Sequence, residues 1–570
     1  MALSRFNPPA AERSPGAAAS SDTVADIETW VDVLGAPATS PPGLVGALVA
    51  WSQALGREHV LTSLNTIDRF SRCTLPCGTR AAAVLRPANT ADVQQVVRIA
   101  TQYGVPIHPI SRGKNWGYGD ACAMTDGQTI VDLSRMNAIR EVNSELAYAV
   151  VEPGVTQGEL SSFLREQELP LWLDVTGAGP DASIVGNTLE RGFGHTPYGD
   201  HFAHTCGLEV VLPEGDLMNT GFGAFASAKA GRVFPWGVGP WLDGLFTQSN
   251  LGVVTALGLS LLRAPEQCLA FAFSVKDESC LGEIVERLRE LRLHDVVRSS
   301  VHIANDLRVI SGQRQYPWDM AAGATPLPDS VRSALRQEAS VGAWNVMGAL
   351  YGPKPLVAAA RQLVRRAFAP VARVLFFDER RLKLAQTILN WLSRAGVARQ
   401  LAAKAAAVRS PFEMLRGIPS ASHLRGAAWR SRTPASAEGT NPGDCGLIWV
   451  SPVLPATRAA CDEVLPLVTR ILTEHQFEPL LTLTTVNARA LCCVVSICYD
   501  RDDEAERHRA AACYDELFTA LATRGYLPYR GGLQTMSKLA DLQPDSAATM
   551  ARIKAALDPQ RILSPGRYEF

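Results

Sequence analysis

The sequence predicts an α+β protein of two domains, a mixed binding domain followed by a domain built on an antiparallel sheet. Three observations predict it. The chain has 570 residues, more than one core usually serves. Between Arg80 and Glu266, short β-branched runs alternate with helical patterns. From residue 267 the pattern changes to longer apolar strands with amphipathic helices that fit one face of a sheet.

The elements follow in order. Residues 1–27, rich in Ala, Ser and Pro, lack the apolar core of a secretory signal and read as a disordered lead, which gives a cytoplasmic expectation. AAAVLRP reads as a strand. TADVQQVVRIATQYG reads as a helix, with Thr90 ahead of Asp92 as its cap and Val93, Val96, Val97 and Ile99 as its apolar positions. VPIHPI, TIVDL and YAVVEPG read as strands, and QGELSSFLREQ as a helix. CGLEVVLPEGD turns at Pro213 to Asp216 and pairs as a hairpin strand, as does the strand in SNLGVVTALGLSLL. In the second domain, CLAFAFSV, GLIWVSPVL and LCCVVSICYD are strands and SCLGEIVERLRELR is a helix. A long helical region is expected from about Pro355 to Val408, and residues 420–444 read as an exposed loop. The stretch from Arg380 to Pro411 carries seven basic residues and no acid, which fits a solvated or partner-facing helix.

Composition is that of an ordinary globular protein, 47% apolar with a formal net charge of -1, so no global field favours nucleic acid or anionic membrane. No uncharged apolar run is long enough for a bilayer. The 12 cysteines are scattered, and Cys73 and Cys77 have no second pair at metal-ligand spacing, so reduced thiols and no metal are expected.

The stretch SRGKNWGYGD, residues 111–120, follows a strand and crowds three glycines together. Glycine after a strand lets backbone N–H groups approach a phosphate. The loop is not a Walker A loop, because Lys114 is followed by Asn115 and no Gly lies five positions before Gly113. It is not a dinucleotide fingerprint either, because Trp116 to Asp120 leads into a turn and a strand instead of a helix.

SRGKNWGYGD, VEPGVTQGEL, SIVGNTLERGFGHTPYGDH, CGLEVVLPEGD, SNLGVVT and LDPQRILSPGRY occur in this order, and together they resemble the vanillyl-alcohol oxidase and p-cresol methylhydroxylase family of flavoproteins. The resemblance runs from about residue 80 to the C-terminus. It implies a two-subdomain FAD-binding domain of the p-cresol methylhydroxylase type over 28–266, a substrate-binding cap domain over 267–520, and a C-terminal segment, 521–570, that returns to the active site. It implies that Ser111, Arg112, Gly113, Lys114 and Asn115 hold the FAD pyrophosphate. Gly154, Gly186, Asn187, Gly192, Gly194, Gly252, Val254 and Arg567 would complete the cofactor site.

Family members acting on para-substituted phenols hold the substrate as phenolate between two tyrosines and an arginine. Tyr529 and Arg530 in GYLPYRGGLQTM match the Tyr-Arg pair, and Tyr118 in NWGYGD matches the other tyrosine. Charge-assisted hydrogen bonds to one oxygen favour its anion. The phenolate then pushes electron density toward the para side chain and eases hydride departure. Asp200 in TPYGDH matches the family acid beside flavin N5; read by itself, it is a turn cap. His195 and His201 flank it without metal spacing. Gly531 and Gly532 depart from the bulkier residues of phenol-acting relatives and predict a roomier pocket.

Many relatives attach the flavin covalently through a histidine or a tyrosine. The strand that LCCVVSICYD forms resembles the one carrying that histidine, and Cys492 and Cys493 stand at the matching positions. Strand alternation puts the two thiols on opposite faces, and burial disfavours the thiolate that attachment needs, so non-covalent FAD is favoured over a cysteinyl link. The expected activity is FAD-dependent hydride removal from the para side chain of a phenol, with oxygen or an electron carrier as acceptor. A non-phenolic alcohol or biosynthetic intermediate is the alternative substrate. A flavin-binding subunit that docks to a redox partner is a third reading, and a homo-oligomer stays open.

Overall fold

The computed structural model describes residues 41–394, 408–433 and 442–569. The disordered lead therefore falls outside the described residues, as does the middle of the basic run.

The first sheet orders its strands Val60–Leu61, Val84–Leu85, Thr129–Asp132 and Ile107–Ile110, the last three mutually parallel. Parallel neighbours need a crossover, and the helix Thr90–Tyr103 supplies it. Its Val93, Val96, Val97 and Ala100 repeat at helical spacing and are wholly buried. The cap is Asn89, whose side chain accepts from the Asp92 N–H, so the cap lies one residue before the expected one and Thr90 is the first helical residue. Thr90 instead donates to Glu209 on the neighbouring sheet.

The second sheet is antiparallel, in the order Ile139–Asn143, Tyr148–Val151, Val253–Ser260, Thr205–Val211, Leu217–Asn219. The expected turn joins its last two neighbours, with the Leu212 N–H donating to the Asp216 carbonyl. The helix Gln157–Glu166 packs Leu160 and Leu164 into the core of this sheet and begins in a capping box made by Thr156 and Glu159.

The third sheet has eight strands, all antiparallel, and begins at Gln267. Its central order is Gln267–Val275, Trp344–Gly352, His302–Asn305, Leu480–Thr485, Ala490–Tyr499, Gly446–Val450. Alternation decides what each face does. In Ala490–Tyr499 the odd residues Cys493, Val495, Ile497 and Tyr499 join the apolar core. The helices Leu281–Leu293, Arg458–Glu474 and Glu504–Ala522 contribute to that same core. The even residues Val494, Ser496 and Cys498 line a cavity, as do Thr482 and Thr484 on the next strand and His302 and Ala304 on the one beyond. One face of this sheet is thus core and the other is a polar roof.

Two sequence expectations fail here. The helical region from Pro355 breaks after Lys354–Phe368, where Leu375–Phe377 adds an edge strand to the large sheet before the helix Glu379–Arg394. Nor is the described part of 420–444 an exposed loop, since Trp429 and Arg430 are buried. Arg430 pairs with Glu478 at 3.2 Å and with Glu506, and lies over Tyr316 and Trp318, which explains how a Ser- and Arg-rich segment can turn inward.

The C-terminus closes the binding domain. The Ser564 N–H donates to the Ile107 carbonyl, and the Ile107 N–H to the Ile562 carbonyl. Buried Lys554 donates to the carbonyls of Asn250 and Leu563 and pairs with Asp558.

Candidate active site

The three sheets enclose a cavity of about 1690 Å³ between the binding domain and the roof. Its floor begins at the loop 111–115. Gly113 has φ +61°, a conformation glycine adopts without the strain that a Cβ would bring. The amide N–H groups of Arg112, Gly113, Lys114 and Asn115 find no acceptor among the described residues, while the Asn115 carbonyl accepts from Tyr118 and Asp120. Across from the loop, a Cβ at Gly186 would stand 3.1 Å from Ser111 Oγ, so glycine keeps the gap open. A run of unused N–H donors facing a cavity is a cradle for an anion. These residues fit the pyrophosphate of FAD.

Gly186, Asn187, Gly192, Gly252, Val254 and Arg567 also line the cavity. Arg567 is held there by Glu190, which also accepts from Tyr568 at 3.0 Å. Two of the expected lining glycines do not reach it. Gly154 packs against the backbone, where a Cβ would meet the Ser134 and Met136 carbonyls at 2.6 and 2.7 Å. Gly194 covers Asp174, whose Oδ2 would lie 1.8 Å from a Cβ.

At one end of the cavity Tyr529 and Arg530 reach the wall, and Tyr118 packs behind them, buried and off the wall. The Arg530 guanidinium carbon lies 3.8 Å from the Tyr118 ring centroid and 5.4 Å from that of Tyr529. The Tyr118 hydroxyl shares a 2.9 Å hydrogen bond with Ser451 Oγ, and Gln248 donates to the Tyr529 carbonyl. Burial pushes the Tyr529 phenol well above its ordinary pKa. Burial opposes the Arg530 cation too, but Tyr529 and Tyr118 outweigh it and hold Arg530 above its ordinary value. Arg530 Nε is buried without a partner. The site therefore holds a fixed cation with a donor to spare beside two phenols.

Gly531 and Gly532 do not widen the pocket. A Cβ on Gly532 would meet the Tyr118 backbone at 3.0 Å, so its smallness serves the approach of this segment to Tyr118.

Asp200 does not stand at the reacting centre. It is exposed, lies off the cavity wall, and its Oδ1 accepts from the Ala203 N–H at 3.2 Å, so the turn-cap reading describes it. The buried acid is Asp174, which the sequence reading missed. Its Oδ2 lies 2.6 Å from His201 Nε2, and its Oδ1 accepts from the N–H groups of His195 and Thr196. Burial would raise its pKa, but His201 and Thr196 outweigh burial and hold it low. Asp174 thus fixes the turn that carries Phe193 and His195 into the cavity.

The two cysteines divide by parity. Cys493 points into the apolar core and cannot face a flavin. Cys492 lies on the roof side near Ser451, is fully buried, and is not on the cavity wall. Burial raises both thiols, Cys493 to about 12. No cluster among the described residues could hold a metal ion, and none of their helices is long and apolar enough to cross a membrane.

Three further cavity residues were invisible to sequence motifs: His302, Arg308 and His423. Each sits alone in its segment, and only the fold brings them together.

The FAD binding domain family matches residues 81–221, and the C-terminal domain of FAD linked oxidases matches residues 454–568. The chain is 39% identical over 528 residues to the 1'-carboxy-chondrochloren decarboxylase of Chondromyces crocatus, covering 92% of this chain and 97% of that protein. It is 31% identical over 521 residues to the flavoprotein subunit of the hydroxylating 4-cresol dehydrogenase of Pseudomonas putida, covering 90% and 93%. Among solved structures, substrate-bound p-cresol methylhydroxylase superposes with a TM-score of 0.83 at 30% identity, covering 94% and 98% of the two chains. The 4-ethylphenol oxidase of Gulosibacter chungangensis, in its isoeugenol complex, gives 0.85 at 28%, covering 93% and 98%.

Proposed function

We propose that this chain, which belongs to the vanillyl-alcohol oxidase and p-cresol methylhydroxylase family of FAD-dependent oxidoreductases, removes hydride from the para side chain of a phenol. The observation that carries the reading is the buried group of Tyr118, Tyr529 and Arg530, with Arg530 Nε unpartnered. Bound FAD, held at Ser111 to Asn115 and Arg567, supplies the hydride acceptor.

The chain's own residues prepare the substrate. While the Tyr118 ring holds Arg530 in place, Arg530 and the Tyr529 hydroxyl stabilise a phenolate oxygen, because a charge-assisted hydrogen bond in a water-poor site is worth more than a neutral one. Negative charge on that oxygen is delocalised to the para carbon, so the benzylic C–H pair leaves as hydride and the ring becomes a quinone methide. Phe193, 5.4 Å from the Tyr529 ring, packs beside the cage. Asp174 positions its loop.

The similarity to a decarboxylase favours a second outcome for the same first step. If the side chain carries a carboxylate on the carbon next to the benzylic one, its C–C pair can move into a new C=C bond as carbon dioxide leaves. The electrons return to the ring, which regains its phenolate. Hydride loss and decarboxylation then balance without a further oxidant.

The test is anaerobic mixing of the holoenzyme with 4-alkylphenols and with aliphatic alcohols. Flavin absorbance is expected to bleach with the phenols alone, and carbon dioxide to appear only with side-chain carboxylates. Bleaching by non-phenolic alcohols and by no phenol would overturn the phenol reading.

A further inference from the structure

The phenolate group uses only one end of the cavity. Along the roof strand Ala490–Tyr499, Cys492 stands near Arg530, and Cys498, six residues on, stands near Arg308. Six residues of strand span roughly 20 Å. Arg308, on the helix Asp306–Ser311, lines the cavity at this second place.

Arg308 has no carboxylate within ion-pair distance among the described residues. Its side-chain hydrogen bond is a long one, 3.4 Å to Ser311 Oγ. Burial lowers the pKa of its guanidinium. Gly426 makes room for it, since a Cβ there would lie 2.5 Å from Nη1. The contrast is Arg430, which is fully buried and faces Glu478 and Glu506, while Arg308 is half-buried at the cavity wall. A buried cation without a counter-ion is costly. Among the described residues no carboxylate offsets that cost for Arg308, and Ser311 offers it only a long hydrogen bond.

The surroundings point the same way. His423 lies close enough to Arg308 to feel its charge. The rings of His195 and His302 are 4.3 Å apart, and those of His195 and His423 6.3 Å. His423 Nε2 is buried without a partner, whereas His302 lies opposite Thr484 and, through it, level with Cys492 toward the phenolate end. Among the described residues, seven arginines and one lysine line the cavity against three carboxylates. Two of those carboxylates are already paired, Glu190 with Arg567 and Glu338 with Arg314. With Arg112 and Lys114 assigned to the pyrophosphate loop, Arg530 to the phenolate, and Arg373 and Arg425 exposed, Arg308 is the half-buried cation still without a ligand.

We propose that Arg308, with His423 as a hydrogen-bonding neighbour, receives a carboxylate at the far end of an elongated substrate. The anion site stands on Arg308 and its neighbours, and only the phenol at the opposite end of the substrate rests on the function proposed above.

The holoenzyme is titrated, with flavin absorbance as the readout, using ω-(4-hydroxyphenyl)alkanoates of graded length and the carboxamide of each. A parallel series carries 4-methoxyphenyl in place of the phenol. The acid is expected to bind about tenfold or more tighter than its amide, with a length optimum, because a hydrogen-bonded charge pair is lost in the amide. Arg308→Gln is expected to bring that ratio near one, and Arg308→Lys to keep part of it. Equal binding of acid and amide by the wild-type protein overturns the proposal, with no variant needed. So does an equal loss for acid and amide in Arg308→Gln, or a fall in its FAD content, since either places Arg308 with the flavin or the phenolate cage. The methoxy series separates the two readings: Arg308-dependent binding of methoxy acids with no flavin reduction by any phenol keeps the anion site and removes the phenol.

Discussion

Arg530 is the residue on which the proposed chemistry turns, because it is the cation packed against both Tyr118 and Tyr529. Tyr529→Phe and Arg530→Leu are each expected to slow flavin reduction by a 4-alkylphenol about ten- to a hundredfold, the worth of a hydrogen bond to a charged group. FAD content is expected to hold, since neither side chain belongs to the pyrophosphate loop. Asp200→Ala serves as the contrast: an exposed carboxylate capping a turn gives no reason for slower reduction. Stopped-flow reduction of the three variants checks both statements together, and a slow Asp200→Ala would return that acid to the reacting centre. Tyr529 and Arg530 were legible because they are adjacent within a recognisable segment. Asp174, His302, Arg308 and His423 were not, because their partners come from other elements and no spacing in the chain announces a tertiary contact.

At the scale of elements, strand parity settles most of what the roof does. The residues 490–499 read as a strand from composition, and alternation alone separated the two cysteines; only packing could say that Cys493 faces the core and that Cys492 stops short of the cavity. A thiol raised by burial is a poor nucleophile and a poor point of attachment. FAD is therefore expected to be released by acid precipitation, with yellow colour and flavin fluorescence in the supernatant. Colour retained in the pellet, and lost in Cys492→Ala, would show a cysteinyl link. The same logic explains the errors. The helix expected to run on from Pro355 contains LFF, whose edge pairing with Ala270, Phe271 and Ala272 outweighs local helix propensity. The loop expected at 420 turns inward because Arg430 meets two buried glutamates contributed by distant segments. Polarity of composition describes the average environment of a segment, and a few strong pairs can reverse it.

Across the whole molecule, the cavity between the binding domain and the roof collects buried ionisable groups whose effects on stability have opposite signs. Burial lowers His302 to about 4 and His423 to about 3, and burial together with His302 holds His195 well below its ordinary value. Each of these is neutral in the folded state while its unfolded counterpart takes a proton near pH 6.5. Between about pH 6.5 and 4 the unfolded chain thus binds more protons at these sites, and stability falls as pH falls. Asp120, whose carboxylate accepts from the Thr74 N–H and hydroxyl, is raised by burial to about 7. Its folded form keeps a proton that the unfolded form has lost, so its contribution runs the other way and declines as pH rises from about 4 to 7. Three histidines outnumber one carboxylate, and the net expectation is a holoprotein that melts at lower temperature as pH is taken from about 6.5 toward 4.5. His302→Gln with His423→Gln is expected to flatten that slope, and Asp120→Asn, which can keep both contacts to Thr74, to steepen it. Melting temperatures against pH for the three proteins decide the matter. An unchanged slope in the double histidine variant would mean that water or ligand reaches those rings and that they titrate as exposed groups do.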